Sequence, residues 1–101
     1  MTRVWVWSKG LPAGPVQVFP GTGAGDRTIG VSGLGPDAIT IATTMLSATE
    51  WCIYAYPAGG TMMTGFKAPA KRIGFFWHRP PDVTDDGAKL FTAAVTWALQ
   101  P

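Results

Sequence analysis

The chain has 101 residues, of which 47% are apolar and 14% charged, with a formal net charge of +2. That length gives one domain spanning residues 1–101, with a core that is feasible but thin. The slight positive balance, densest at Lys67, Lys71, Arg72 and Arg79, is too weak for a phosphate track and argues against nucleic acid as a partner, and no run approaches the roughly 18 apolar residues of a membrane span.

Residues 3–8 read as a strand, with Val4 and Val6 on one side and Trp5 and Trp7 on the other. Residues 9–15 form a Gly/Pro loop, and a short strand over 16–19 is ended by Pro20. The glycine-rich stretch 20–36 carries a minor strand at 28–32. Residues 37–45 predict a better one, with Ile39, Ile41, Thr43 and Met45 opposite Thr40, Ala42 and Thr44. Residues 47–50 read as a turn. Residues 51–56 are a strong strand by β-propensity, placing Cys52, Tyr54 and Tyr56 on one face and Trp51, Ile53 and Ala55 on the other. A glycine turn at 57–60 leads into a strand at 61–66. A turn at 67–70 precedes the most apolar strand, 71–78, which Arg79-Pro80-Pro81 ends.

The helix follows. Thr84 is a natural N-cap and Asp85 and Asp86 suit the positive end of the helix dipole. Gly87 weakens that first turn by about 1 kcal/mol relative to Ala. Phe91, Ala94, Val95 and Ala98 form an apolar stripe widened by Leu90, Trp97 and Leu99. The expected fold is therefore α+β: a mainly antiparallel or mixed sheet of five to six strands, with one C-terminal amphipathic helix packed on one face.

Few residues suggest chemistry. Gly21-Thr22-Gly23-Ala24-Gly25 lacks the third glycine of a dinucleotide loop, has Asp26 there instead, and has no Gly-Lys-Ser/Thr; it reads as a plain loop. Cys52 stands alone, mid-strand between Trp51 and Ile53, and reads as a buried structural thiol. Glu50 and Asp82 could pair as carboxylates, but nothing in the sequence sets their separation. His78, the single histidine, has Asp82, Asp85 and Asp86 downstream to orient it. It lacks a nucleophile and any second His or Cys for a metal site. Catalysis through His78 and an aspartate is the weaker alternative, and no metal or cofactor is implied.

The aromatic residues carry more weight. Five Trp, five Phe and two Tyr are more rings than a thin core can hide. One helix covers one sheet face, so the other, bearing Trp5, Trp7, Tyr54, Tyr56 and Phe76 with His78 at a strand end, is expected to stay open. An open apolar face implies an interface. The expectation is a non-enzymatic, self-associating module with a binding or scaffolding role, its sheets meeting face to face or edge to edge. The alternative is a small-ligand or carbohydrate binder using an aromatic cleft at a subunit interface. A lone cysteine excludes an intrachain disulfide and fits a reducing compartment. The N-terminus has no leader pattern, so a soluble, cytoplasmic protein beginning at its own Met1 is expected.

The run from Ala68 to Trp77 (APAKRIGFFW), the later run from Leu90 to Leu99 (LFTAAVTWAL), and Ile53-Tyr54-Ala55-Tyr56 before a glycine turn with Met63 after it together resemble the C-terminal end of glutamine-amidotransferase-like (flavodoxin-like) domains, which occur in bacterial secreted and multidomain proteins. The resemblance runs from Ala38 to Leu99. It implies the last strands and final helix of such a domain. The alternating strand–helix half that carries the catalytic cysteine in true amidotransferases is missing, so no catalytic residue carries over. A half-domain would expose the edge and face its missing half covered.

Overall fold

The computed structural model describes residues 2–6, 14–19, 30–44, 47–75 and 83–100, with side chains for 16–18, 30–44, 47–75 and 83–100. Strands β1 (Thr2–Val6), β2 (Gly14–Phe19), β3 (Ile39–Thr44), β4 (Ser47–Tyr56) and β5 (Arg72–Gly74) precede helix α1 (Asp85–Leu99). The strands hydrogen-bond in the order β2-β1-β3-β4-β5, and every pairing is antiparallel. The architecture is thus α+β, an antiparallel sheet with a C-terminal helix.

Three local expectations are corrected. Residues 47–50 are not a turn: β4 is ten residues long and starts at Ser47, because the ladder with β3 is carried, through bulges, as far as the Thr44–Ser47 pair. Residues 61–66 are not a strand. Thr64 (φ 67°) and Gly65 (φ 87°) both adopt the left-handed conformation, which breaks a β ladder. The segment folds instead into a 3-10 turn, Met63–Gly65, closed by Met62 N–H donating to Phe66 O at 2.6 Å, with an isolated bridge between Thr61 and Lys67. The minor strand at 28–32 reduces, among the described residues, to a single bridge: Val31 and Trp51 exchange backbone hydrogen bonds of 2.9 and 2.7 Å.

The two faces of the sheet follow from register. Tyr54 pairs with Gly74 and Tyr56 with Arg72, so these share a face; Ala55 pairs with Ile73 on the other. Phe75, two residues beyond Ile73, meets Phe91 edge-on with ring centroids 5.6 Å apart. Helix α1 therefore lies over the Ala55–Ile73 face. The core gathers Val16 and Val18 of β2, Ala42 of β3, Cys52 and Ile53 of β4 and Leu90 of α1, with Ile41, Phe75 and Val83 packed against it.

Helix α1 is fixed at both ends. At its start Thr84 Oγ1 accepts from Gly87 N–H (3.2 Å) and donates to Gln17 O (2.6 Å). Thr84 N–H donates to Val18 O at 2.8 Å. One residue thus caps the helix and ties it to the edge strand β2. At its far end no basic residue lies in the last turn; the cation comes from the sheet instead. Lys71, next to β5, donates from Nζ to Trp97 O (2.8 Å) and Gln100 O (2.5 Å) and sits 4.6 Å from the Trp97 ring centroid. Trp97 O also accepts from the Gln100 N–H at 3.2 Å, so Lys71 adds a cationic donor at the negative end of the helix. Fifteen residues at 1.5 Å each make α1 about 22 Å long. That is close to the roughly 19 Å from β2 to β5 at ordinary strand spacing, so the helix reaches from one edge strand to the other.

This anchoring also sets which side of α1 points inward. Gly87 and Leu90 are buried, and Ala94 and Trp97 half-buried. A stripe at 87, 90, 94 and 97 is one helical face. Of the expected inward stripe of Phe91, Ala94, Val95 and Ala98, widened by Leu90, Trp97 and Leu99, the part at Leu90, Ala94 and Trp97 does face the sheet; Val95 (40%), Leu99 (79%) and Ala98 are exposed, and Phe91, 42% exposed, lies at the margin with its ring against Phe75. Gly87 is part of the reason. A Cβ there would fall 2.9 Å from Val83 Cγ2 and 3.3 Å from Val18 O. The missing side chain lets the helix start lie close against β2.

Candidate functional site

Among the described residues, two of those singled out in the sequence are brought together. Tyr54 and Tyr56 lie two apart on β4, with ring centroids 6.3 Å apart at an interplanar angle of 78°, an edge-to-face pair. Tyr54 lies flat on its neighbour strand: a Cβ at Gly74 would fall 2.1 Å from Tyr54 Cζ. Glycine at 74 is what makes room for the ring. Tyr56 is buried, and its Oη accepts from Gly35 N–H at 2.9 Å.

Gly35 joins two loops. A Cβ there would fall 2.3 Å from the carbonyl carbon of Met62 and 2.6 Å from Met63 N. Beside this contact Asp37 and Thr61 are joined twice: Thr61 N–H donates to Asp37 Oδ2 (2.7 Å) and Asp37 N–H to Thr61 O (3.3 Å). The loop is closed at its base by Gly59 N–H to Ala68 O and Ala68 N–H to Gly60 O, at 2.7 and 2.9 Å. The corner is therefore a built structure in which Tyr56 is a strut. At its tip Met63 (45%) and Phe66 (71%) are exposed. The face expected to stay open is closed in part by the chain itself, since Tyr56 on that side is buried.

Most of the remaining candidates lie outside the described residues. Trp5 contributes backbone pairs to Pro15 and Thr43 within the sheet; its side chain, and the whole of Trp7, Phe76 and His78, lie outside the described residues. So do Asp82 and the glycine loop at 21–25. Glu50 is exposed on β4. Cys52 is buried, its Sγ donating to Ala42 O at 3.5 Å. Burial pushes its thiol up to about 12, against a small lowering by its backbone hydrogen bond. A thiol that stays protonated at neutral pH is a poor nucleophile. Among the described residues no three His, Cys, Asp or Glu side chains gather into a group that could hold a metal ion. No helix among them is long and apolar enough to cross a membrane.

Among the described residues a further stretch of apolar exposure lies on the outer side of α1. Ala88, Phe91, Val95, Ala98 and Leu99 are all exposed and recur at three- and four-residue spacing, a continuous ridge. Sequence periodicity included Phe91, Val95, Ala98 and Leu99 in one broad stripe with Leu90, Ala94 and Trp97 and pointed all of it inward. The signal that assigns its direction is one glycine and two polar anchors around α1, Gly87, Thr84 and Lys71, whose partners in β2 or at the far end of α1 are distant in sequence. Compared with family models, with curated proteins and with solved structures, the chain matches none.

Proposed function

We propose that this chain is a non-enzymatic module that self-associates and serves a binding or scaffolding role in the cytoplasm. The observation that carries this reading is the α1 ridge. Phe91, Val95 and Leu99 keep 42%, 40% and 79% of their surface in water on a chain with only 14% charged residues. Contiguous apolar surface of this kind marks interaction sites in monomeric folds. Symmetric self-association is the commonest way a soluble chain covers such a surface. The tyrosines favour this reading over a carbohydrate cleft, because Tyr54 is occupied by Gly74 and Tyr56 by Gly35.

Kinship with the tail of glutamine-amidotransferase-like domains belongs to the same proposal, with a sheet extending to five or six strands. It is supported by the succession of β4, glycine turn, β5 and α1. Sedimentation velocity across a hundredfold concentration range tests self-association. A dimer or larger species is expected, and a compact monomer throughout would overturn it.

A further inference from the structure

We propose that the loop joining β4 to β5 docks on an anionic lipid surface, with Phe66 and Met63 entering the interface and Lys67 and Arg72 lying among the headgroups. This goes beyond the self-association proposed above and does not depend on it; the chain lies on the membrane and does not span it. The loop is built to present its tip. Its base is closed by Gly59 N–H to Ala68 O (2.7 Å) and Ala68 N–H to Gly60 O (2.9 Å), and nearer the tip by Met62 N–H to Phe66 O (2.6 Å) and Gly65 N–H to Met62 O (3.1 Å). Thr64 takes φ 67°, a conformation that a β-branched residue rarely adopts and that persists only where the surroundings hold it. Every residue from Met63 to Lys67 is exposed, Phe66 at 71% and Met63 at 45%. The strained turn thus holds a large ring in water on a rigid support.

Charge around the loop is mainly positive. Residues 57–71 contain no Asp or Glu. Lys67 is exposed next to Phe66, its Nζ donating to Thr61 Oγ1 at 3.5 Å. Arg72, exposed, with Nη1 donating to Lys71 O at 3.2 Å, shares with Tyr56 the sheet face on which Gly35 and Met62 meet. Lys71 is turned the other way, onto Trp97 O and Gln100 O, and takes no part. The acid beside the loop is Asp37, whose carboxylate accepts from Thr61 N–H at 2.7 Å. Asp85 and Asp86 lie at the end of α1 tied to β2, the opposite edge of the sheet, and Glu50 lies back along β4, about 20 Å from Tyr56 at ordinary strand rise. The tip is small and convex. It offers no groove to a peptide, and one ring with one methionine falls far short of the roughly 800 Å² per partner of a stable protein interface. A bilayer needs less: a few apolar side chains that enter, with cations beside them at the depth of the anionic headgroups.

The test is co-sedimentation of the full chain with sucrose-loaded vesicles, made of phosphatidylcholine alone or with about 30% phosphatidylserine. Binding to the phosphatidylserine vesicles is expected, with little binding to the neutral ones, and it should weaken as salt is raised. Phe66→Ser is expected to lower the partition onto anionic vesicles roughly tenfold, and Lys67→Gln about fivefold. Both side chains are exposed, so both variants should keep the parent's urea midpoint; Lys67→Gln carries the test alone if Phe66→Ser does not fold. A parent chain that leaves phosphatidylserine vesicles unbound would overturn the proposal and point to a protein groove as the partner of the tip. Equal binding to neutral and anionic vesicles would overturn it by removing the role of Lys67 and Arg72. Binding that a folded Phe66→Ser variant retains in full would overturn it by showing that the tip does not enter the interface.

Discussion

Replacing Gly35 by Ala puts the loop corner to the test. The added Cβ would fall 2.3 Å from Met62 C and 2.6 Å from both Met62 O and Met63 N. Carbon atoms in contact sit at 3.5–4.0 Å, so one of the two loops must move by about 1 Å or more. Neither is free to do so, because Asp37 and Thr61 are bonded to each other twice and Met62 N–H is held by Phe66 O. Overpacking of this kind costs about 1–3 kcal/mol. Separation of the loops adds about 1 kcal/mol for the Gly35 N–H to Tyr56 Oη bond, while the stiffer unfolded chain returns about 0.4–1 kcal/mol. The net expectation is a loss of about 1–3 kcal/mol. Tyr56→Phe alone removes the same hydrogen bond and costs about 1 kcal/mol, more if Gly35 N–H is left dry. In the double variant that bond is lost only once, so the effects fall short of additive by about 1 kcal/mol. Urea denaturation of the four proteins at one fixed concentration measures this; the concentration is fixed because association contributes to apparent stability. A Gly35→Ala variant within 0.5 kcal/mol of the parent, or strict additivity with Tyr56→Phe, would refute the claim that Gly35 and Tyr56 hold the loops together.

Three further outcomes are expected. Lys71→Met keeps the apolar stem but removes the cation from Trp97 O and Gln100 O; a loss of about 1–2 kcal/mol, with faster amide exchange confined to the last turn of α1, is expected, and unchanged exchange there would remove Lys71 as the cap. Gly87→Ala should fail to deliver the roughly 1 kcal/mol that Ala gains over Gly in a helix, since its Cβ meets Val83 Cγ2 at 2.9 Å; a variant stabilised by that full amount in a urea melt would show that the helix start is not packed closely on β2. Cys52, with its folded pKa raised from 9.0 to about 12, keeps its proton where the unfolded chain has lost it. Stability is therefore unaffected below pH 9 and falls as pH rises from 9 toward 12, by up to about 1.4 kcal/mol per pH unit. Cys52→Ala lacks this fall, so the stability difference between parent and variant should shrink above pH 9, and a constant difference across that range would contradict the burial of the thiol.

What was legible in the sequence, and what was not, divides along the range of the interactions. The N-cap at Thr84, the strand through Tyr54 and Tyr56 and the burial of Cys52 are written in neighbouring residues and are found where they were expected. Local propensity failed where a tertiary constraint competed with it. Thr61 to Phe66 has the β-branched and apolar residues of a strand, yet Thr64 and Gly65 turn left-handed because the segment must fold back for Met62 to meet Gly35. Ser47 to Glu50 has turn residues, yet β3 supplies a ladder for it to continue. The tyrosines were visible as aromatic side chains on one face. That they are struts and not a platform depends on Gly35 and Gly74, which lie 21 and 20 residues away from their partners.

The direction of α1 is the sharpest case, and it bears on function. Leu90, Phe91, Ala94, Val95, Trp97, Ala98 and Leu99 surround more than half the helix, so the periodic pattern alone admits either of two inward faces. Three long-range anchors decide between them: Thr84 on Gln17 O, Gly87 against Val18, and Lys71 under Trp97. They turn Leu90 into the core, set Phe91 at the margin against Phe75 and leave Val95 outside. A helix apolar on both sides is poorly suited to cover a sheet as a monomer, since half of its apolar area brings no burial. It is well suited to lie between a sheet and a second layer. The breadth of the stripe that made α1 ambiguous to read is thus the same property that supports the proposed self-association.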